Sequence, residues 1–367
     1  MALQTVLGQP SWRVASANVE AFVTQTGGML GPVKFDIGGR NVEPLSIAPW
    51  SEEAGDFPPV IKALRGDFFC LPFGVSLDPY LGEEHPIHGE TANGEWQFDN
   101  LSGPALDLVF ESRIRPAKVY KTVRCGDNAV YQRHMVAGMK GPMCFGHHAM
   151  VKFNSPGRLS FSPTLWRQVL PGQFENAASG GYSSLHEGAE FNDMRNAPLA
   201  VGGTTDLTEY PAREGYEDLV QFASDPAEPF AWAAVTFQEE GYVYFQLKDP
   251  RVLTSTVLWF SNGGRHYAPW SGRHRAVLGI EEVTSYFHLG LRGSIMPNPL
   301  QSRGIATYRD LLPGEPLEVR TVFGVAETPT GFDRVSKIVQ TGTGIVLLAE
   351  SGVRVERPLD LMFLGVR

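Results

Sequence analysis

The stretch AVLGIEEVTSYF, residues 276–287, sets Glu281 and Glu282 side by side within an otherwise apolar run. Neighbours on a strand point to opposite faces, so one of the two carboxylates can turn inward. Desolvation there would raise its pKa, as a general base requires. The competing reading is that the pair marks the strand's exposed end. Residues 141–153, GPMCFGHHAMVKF, carry a second pair, His147 and His148, under the same rule. At most one of these imidazoles lies in a given pocket, and a histidine there is a candidate acid/base because it titrates near neutral pH. The segment HPIHGETANGEW, 85–96, brings His85, His88 and Glu90 together and adds Trp96. The histidines are three positions apart, which on a strand sends them to opposite faces, so a shared metal would require a turn. His88 before Gly89 fits instead an imidazole at a pocket edge, or a satisfied loop histidine. In LRGDFFCLPFG, 64–74, Arg65 and Asp67 precede an apolar run. They form either a surface pair beside a buried strand or a pocket site whose planar guanidinium donates to ligand oxygens.

Short alternating runs must hold these groups in place. Residues 19–45 read as two strands with tight turns at Gly27–Gly28 and Gly38–Gly39, with Val19, Ala21 and Val23 on one face. Similar runs recur at 106–114, 117–125, 129–138, 158–163, 230–238, 241–248, 252–261 and 316–325. Helical periodicity is scarce. GFDRVSKIVQT, 331–341, places Phe332, Val335, Ile338 and Val339 on one helical face and predicts a helix. Residues 51–60 and 176–190 read as long loops. No fixed-period repeat and no compositional break divides the chain, so residues 1–367 read as a single all-β domain, a large antiparallel β-sandwich with few short helices.

Composition narrows the function classes. The chain has 367 residues, of which 43 % are hydrophobic, with 22 Phe and 11 Tyr to fill a large core, and its 40 Gly and 27 Pro interrupt any long helix. A net charge of −9 argues against a nucleic-acid or anionic-membrane surface, which needs clustered Lys and Arg. A small neutral or polar ligand is the better default. Cys70, Cys125 and Cys144 lie far apart, which suits reduced thiols and a cytoplasmic location better than a disulfide framework. The amino-terminal MALQTVLGQPSW has neither a basic region nor an apolar core of a secretory signal.

Taken in order, these clusters resemble the galactose mutarotase (aldose 1-epimerase) superfamily. The resemblance rests on TGGMLG, Arg65 in its proline-containing turn, the HG…W loop with His88 and Trp96, His147 or His148 in FGHHAMVKF, and Glu281 in GIEEVTSY. It runs from about residue 19 to 325. The chain departs from the family in having AMVKFN after the mid-chain histidine and Glu282 after Glu281, which places it among divergent members. The resemblance implies a mutarotase-like supersandwich that interconverts sugar anomers without cofactor or metal. It implies Glu281 as base and His148 as acid, His148 being chosen over His147 because HAMVKFN matches the family's histidine-leading run better. Arg65, His88 and Asp218 of GYEDLVQF would grip sugar oxygens, with Asp206 a second choice for the aspartate. His147 stays a possible substrate contact, and Trp96 or Trp259 would offer the ring an apolar face. Two rivals remain: a non-catalytic carbohydrate-binding sandwich with the acid/base pair idle, and a cupin-like metal enzyme using His85, His88, Glu90 and a later histidine. The sugar, its phosphorylation and the oligomeric state are left open.

Overall fold

Glycine-rich turns fold the chain back on itself every few residues, and every pairing between its strands is antiparallel. The computed structural model describes residues 2–75 and 79–365. Two large sheets dominate. The first has nine strands, running in spatial order from Glu209–Tyr210 through Gly157–Phe161, Ala231–Phe237, Tyr242–Lys248, Leu317–Glu327, Ala129–Ala137, Ala117–Cys125 and Ala105–Ser112 to Gln97–Ser102. The second, seven-stranded, runs Thr164–Val169, Glu217–Ser224, Ser255–Ser261, Val277–Thr284, then Phe145–His147 and Phe69–Cys70, with Ala149–Lys152 also paired to Val277–Thr284. Smaller sheets of five strands at the amino-terminal end and three at the carboxy-terminal end, and two of two strands each, accompany them. Helices are limited to short turns, notably Pro59–Ala63 and Gly290–Ile295. Among the described residues no helix is long and apolar enough to cross a membrane.

The two large sheets face each other. Gln246 of the nine-stranded sheet donates to the Glu282 carboxylate of the seven-stranded sheet at 2.7 Å, and the Lys248 ammonium pairs with that carboxylate. Three strands of the seven-stranded sheet, Glu217–Ser224, Ser255–Ser261 and Val277–Thr284, are buried at every position. Their inner face meets the opposing sheet and their outer face lies under loops, which is why they show no polar–apolar alternation. That outer face is where the site forms.

Residues 331–341 do not form the helix that their periodicity predicts. Val335–Gln340 is a strand whose pairing slips between Val335 and Lys337. The extra residue of this bulge changes the phase of the alternation, so Val335 and Ile338, three apart, both point inward and imitate a helical spacing. With Ile345, Leu347 and Val355 of the neighbouring strands they cover the outer face of the nine-stranded sheet, packing on Trp232, Val243, Phe245 and Val322.

Candidate active site

The pairing register brings the two histidine and two glutamate neighbours together. Gly146 lies opposite Val283 and Ala149 opposite Ile280. Carried through the intervening residues, the same register sets His148 against Glu281 and His147 against Glu282, on alternate faces. His148 Nε2 stands 3.2 Å from Glu281 Oε1, both side chains almost fully buried. On the opposite face His147 Nδ1 bonds Asp67 at 2.8 Å, inside the sandwich.

A cavity of about 370 Å³ opens above His148 and Glu281. That is ample for a small polar ligand. The short helix Pro59–Ala63 and Phe57 supply one wall; Arg265, Tyr267, Pro269 and Trp270, from the loop after Ser255–Ser261, supply another. His88 and His288 close the rim, and Trp259 lines the floor. His88 sits at φ 60°, stabilised by its amide donating to Gly74 O at 2.7 Å. Gly89 follows in the left-handed region at φ 78°, where a Cβ would lie 2.0 Å from Leu71 O. Only glycine fits there, which is the physical basis of the HG pair.

Arg265 is the guanidinium of this cavity. Its Nε donates to Glu175 at 2.6 Å, and the Tyr267 hydroxyl donates to the other oxygen of the same carboxylate at 3.2 Å. The guanidinium lies 4.5 Å from the centre of the Trp270 ring and 5.1 Å from that of Trp259, packing the charge against two aromatic faces. Behind Trp259, the Glu217 carboxylate accepts from its indole N–H at 2.8 Å, from Ser261 Oγ at 3.1 Å and from the Gly264 amide at 3.0 Å. Burial lifts Glu217 to about 7 in spite of these donors and Arg265.

Burial also governs the central pair. It pushes the Glu281 carboxyl well above the ordinary range, opposed by Arg265, and depresses His148 to about 4. His288 falls to about 4 and His88 drops well below its usual value, again through burial. Both shifts favour the uncharged forms, a neutral imidazole beside a neutral carboxylic acid. A carboxyl and an imidazole 3.2 Å apart are close enough to act together on one ligand as proton donor and acceptor.

No family model matches the sequence, and no curated protein matches it. Solved structures do. A protein of Escherichia coli K12 provisionally described as an aldose 1-epimerase superposes with a TM-score of 0.61 at 16 % identity, over 87 % of this chain and 100 % of its own. A galactose mutarotase-like protein of Clostridium acetobutylicum gives 0.59 at 13 % identity, over 89 % and 98 %. A galactose mutarotase related enzyme of Lactobacillus acidophilus gives 0.57 at 10 % identity, over 87 % and 98 %. The fold is galactose mutarotase-like.

Within this mutarotase-like fold the residues singled out by sequence divide into two groups. His88, His148, Glu281 and Trp259 line the cavity. Arg65, Asp218, Trp96 and His147 do not, and each is occupied elsewhere. Arg65 is fully buried and donates to the carbonyls of Ala63, Val6 and Leu7 at 2.8–3.0 Å, tying the amino-terminal hairpin to the body. Asp218 accepts from the amides of Ser184 and Leu185 and from Ser184 Oγ, and pairs with Arg213, so it pins the 176–190 loop. Asp206 caps its own turn at Thr208. Trp96 donates to Thr91 O at 2.9 Å and is buried against Gly28. The metal alternative dissolves for a similar reason: His85 bonds Glu83, Glu90 bonds Ser112 and the amides of Arg113 and Ile114, and only His88 reaches the cavity. Among the described residues no group of three or more His, Cys, Asp or Glu is placed to hold a metal ion. Sequence reasoning missed Arg265, Glu175 and Trp270. The glycine pair before Arg265 and the aromatics after it, GGRHYAPW, were the available signal.

Proposed function

We propose that residues 1–367 act as one domain, a cytoplasmic aldose 1-epimerase-like isomerase that interconverts the anomers of a sugar. One observation carries this reading: His148 Nε2 and Glu281 Oε1 stand 3.2 Å apart at the floor of an aromatic-walled cavity. Anomer exchange needs a base for the anomeric hydroxyl and an acid for the ring oxygen, with the roles exchanged on closure. Sugar oxygens entering the cavity hydrogen-bond both groups and favour the ionised pair, with the Glu281 proton moved to His148. Glu281 then takes the anomeric proton while the His148 imidazolium protonates the ring oxygen. The bond from the anomeric carbon to the ring oxygen breaks and leaves an open-chain aldehyde with a new hydroxyl. Rotation about the bond beside the carbonyl exposes its other face, and the same two groups run the steps in reverse. Arg265 grips ligand oxygens, and Trp259 and Trp270 pack on the apolar face of the ring.

Polarimetry or saturation-transfer NMR on freshly dissolved aldoses, including phosphorylated and acidic sugars, tests this. Faster anomer exchange with at least one of them is expected; no acceleration with any sugar in the panel defeats the catalytic claim. The departure of Arg65 and Asp218 from the cavity supports a second reading, a carbohydrate-binding sandwich with an idle acid/base pair. Saturable sugar binding without turnover identifies that case.

A further inference from the structure

Two donors converge on one atom of His88. The Gly74 amide lies 3.3 Å from His88 Nδ1, and the Cys70 sulfur lies 3.4 Å from the same nitrogen. A backbone N–H can only donate, and a proton on Nδ1 would point into it, so Nδ1 must present its lone pair. In a neutral imidazole the proton then sits on Nε2. Burial pushes the Cys70 thiol well up, which keeps it as S–H, a donor aimed at that lone pair. The ring cannot swivel freely: Phe68 and Phe73 pack against it edge-to-face with centroids 5.7 Å and 5.3 Å away, and its backbone is held in the left-handed region. Among the described residues Nε2 has no hydrogen-bond partner, and the ring lines the cavity.

We infer that Cys70 and the Gly74 amide lock His88 as its Nε2–H tautomer, so that His88 is a fixed neutral donor to a ligand oxygen and Cys70 is a positioning residue. The groups facing His88 agree with this. His148, His288 and Arg265 surround it, and each disfavours a second positive charge beside it. An imidazolium is doubly excluded, by burial reinforced by the Arg265 charge and by the Gly74 amide. His88 therefore does not serve as a proton carrier. The identity of the donor's target, the oxygen that becomes the aldehyde carbonyl, rests on the proposed function; the tautomer does not. A neutral N–H aimed at that oxygen stabilises it as the carbonyl develops without competing for its proton.

The test is long-range ¹H–¹⁵N correlation on the full-length protein labelled at histidine, with His88 assigned by the signals lost in His88→Gln. The expected spectrum has an unprotonated Nδ1 and a protonated Nε2 for His88, unchanged between about pH 5 and pH 8, where a free imidazole titrates. Cys70→Ser keeps a donor and should retain that pattern, whereas Cys70→Ala, with only the 3.3 Å Gly74 bond left to hold the ring, should broaden the signals and lower kcat with little change in KM. A protonated Nδ1, or a His88 that titrates in this window, overturns the assignment. A Cys70→Ala spectrum identical to wild type overturns the part given to Cys70. If Cys70→Ala does not fold, the wild-type and Cys70→Ser spectra still decide the tautomer. Because the spectrum needs no turnover, a locked His88 in a protein inert toward every sugar would overturn the proposed function and leave this inference standing.

Discussion

His148 and Glu281 face each other across two antiparallel strands at 3.2 Å, while their neighbours His147 and Glu282 face the sandwich interior. If the outward pair is the proton carrier, Glu281→Gln should keep sugar binding and lower kcat by about a hundredfold to ten-thousandfold, the usual range for a lost general acid or base. Glu282→Gln makes the contrast: it should leave the chemistry in place and cost stability, since it strands the Lys248 ammonium inside the sandwich. Turnover and thermal unfolding of the two variants check this. Equal loss of turnover with both would speak against the assignment.

The pH profile carries a distinct signature. Below about pH 4 His148 gains its proton while Glu281 is already protonated, and the site has no base. Above the raised Glu281 value the carboxyl has lost its proton, and the site has no acid. The kcat/KM curve should therefore hold level through pH 6.5, where a solvated histidine would have placed the acid limb, and fall only near pH 4. An acid limb near 6.5 would mean that His148 is solvated in the working enzyme.

The two arginines should separate by phenotype. Arg265→Ala is expected to raise KM or the sugar Kd and also to lower the melting temperature, because the guanidinium faces the cavity and its loss leaves the buried Glu175 with the Tyr267 hydroxyl in place of its ion-pair partner. Arg65→Ala removes hydrogen bonds to one buried and two part-buried carbonyls together with a fully buried side chain, which costs on the order of 3 kcal/mol. Its damage should appear in urea unfolding, and the residual folded protein should bind sugar normally. Weaker binding from Arg65→Ala without loss of stability would reverse the two roles.

Glu217 predicts a pH dependence of stability. Its folded value, raised to about 7 from 4.5, means that the folded state holds a proton that the unfolded chain releases. The stabilisation is full below pH 4.5 and is lost as pH rises through about 7, on the order of 3 kcal/mol in all. Glu217→Gln keeps one acceptor oxygen for Ser261 and Gly264, sacrifices the Trp259 bond and does not titrate. The difference in melting temperature between wild type and variant should shift in the variant's favour as pH rises across that window. A difference independent of pH would show that Glu217 titrates alike in both states.

Much of the fold was legible because its signals are local. Alternating runs between glycine turns marked the strands, and the period of two put each His–His and Glu–Glu neighbour on opposite faces whatever the strands paired with. The error at 331–341 was local too: a single bulge converted strand spacing into a helical one. Glu281, His148 and His88 could be proposed because acids and imidazoles within apolar runs are conspicuous. Which members of each pair meet, and on which face, depended on the register that sets Ala149 against Ile280, a relation between segments more than a hundred residues apart. The arginine was decided the same way. Arg65 and Arg265 differ little as residues in a string, and only the folded chain puts three backbone carbonyls around one and an open cavity before the other. The sequence by itself determined the strands and the alternation of their faces, because backbone geometry acts between neighbours; the tertiary structure decided which charges are spent on scaffolding and which are left for a ligand, because hydrogen-bond partners come from distant parts of the chain.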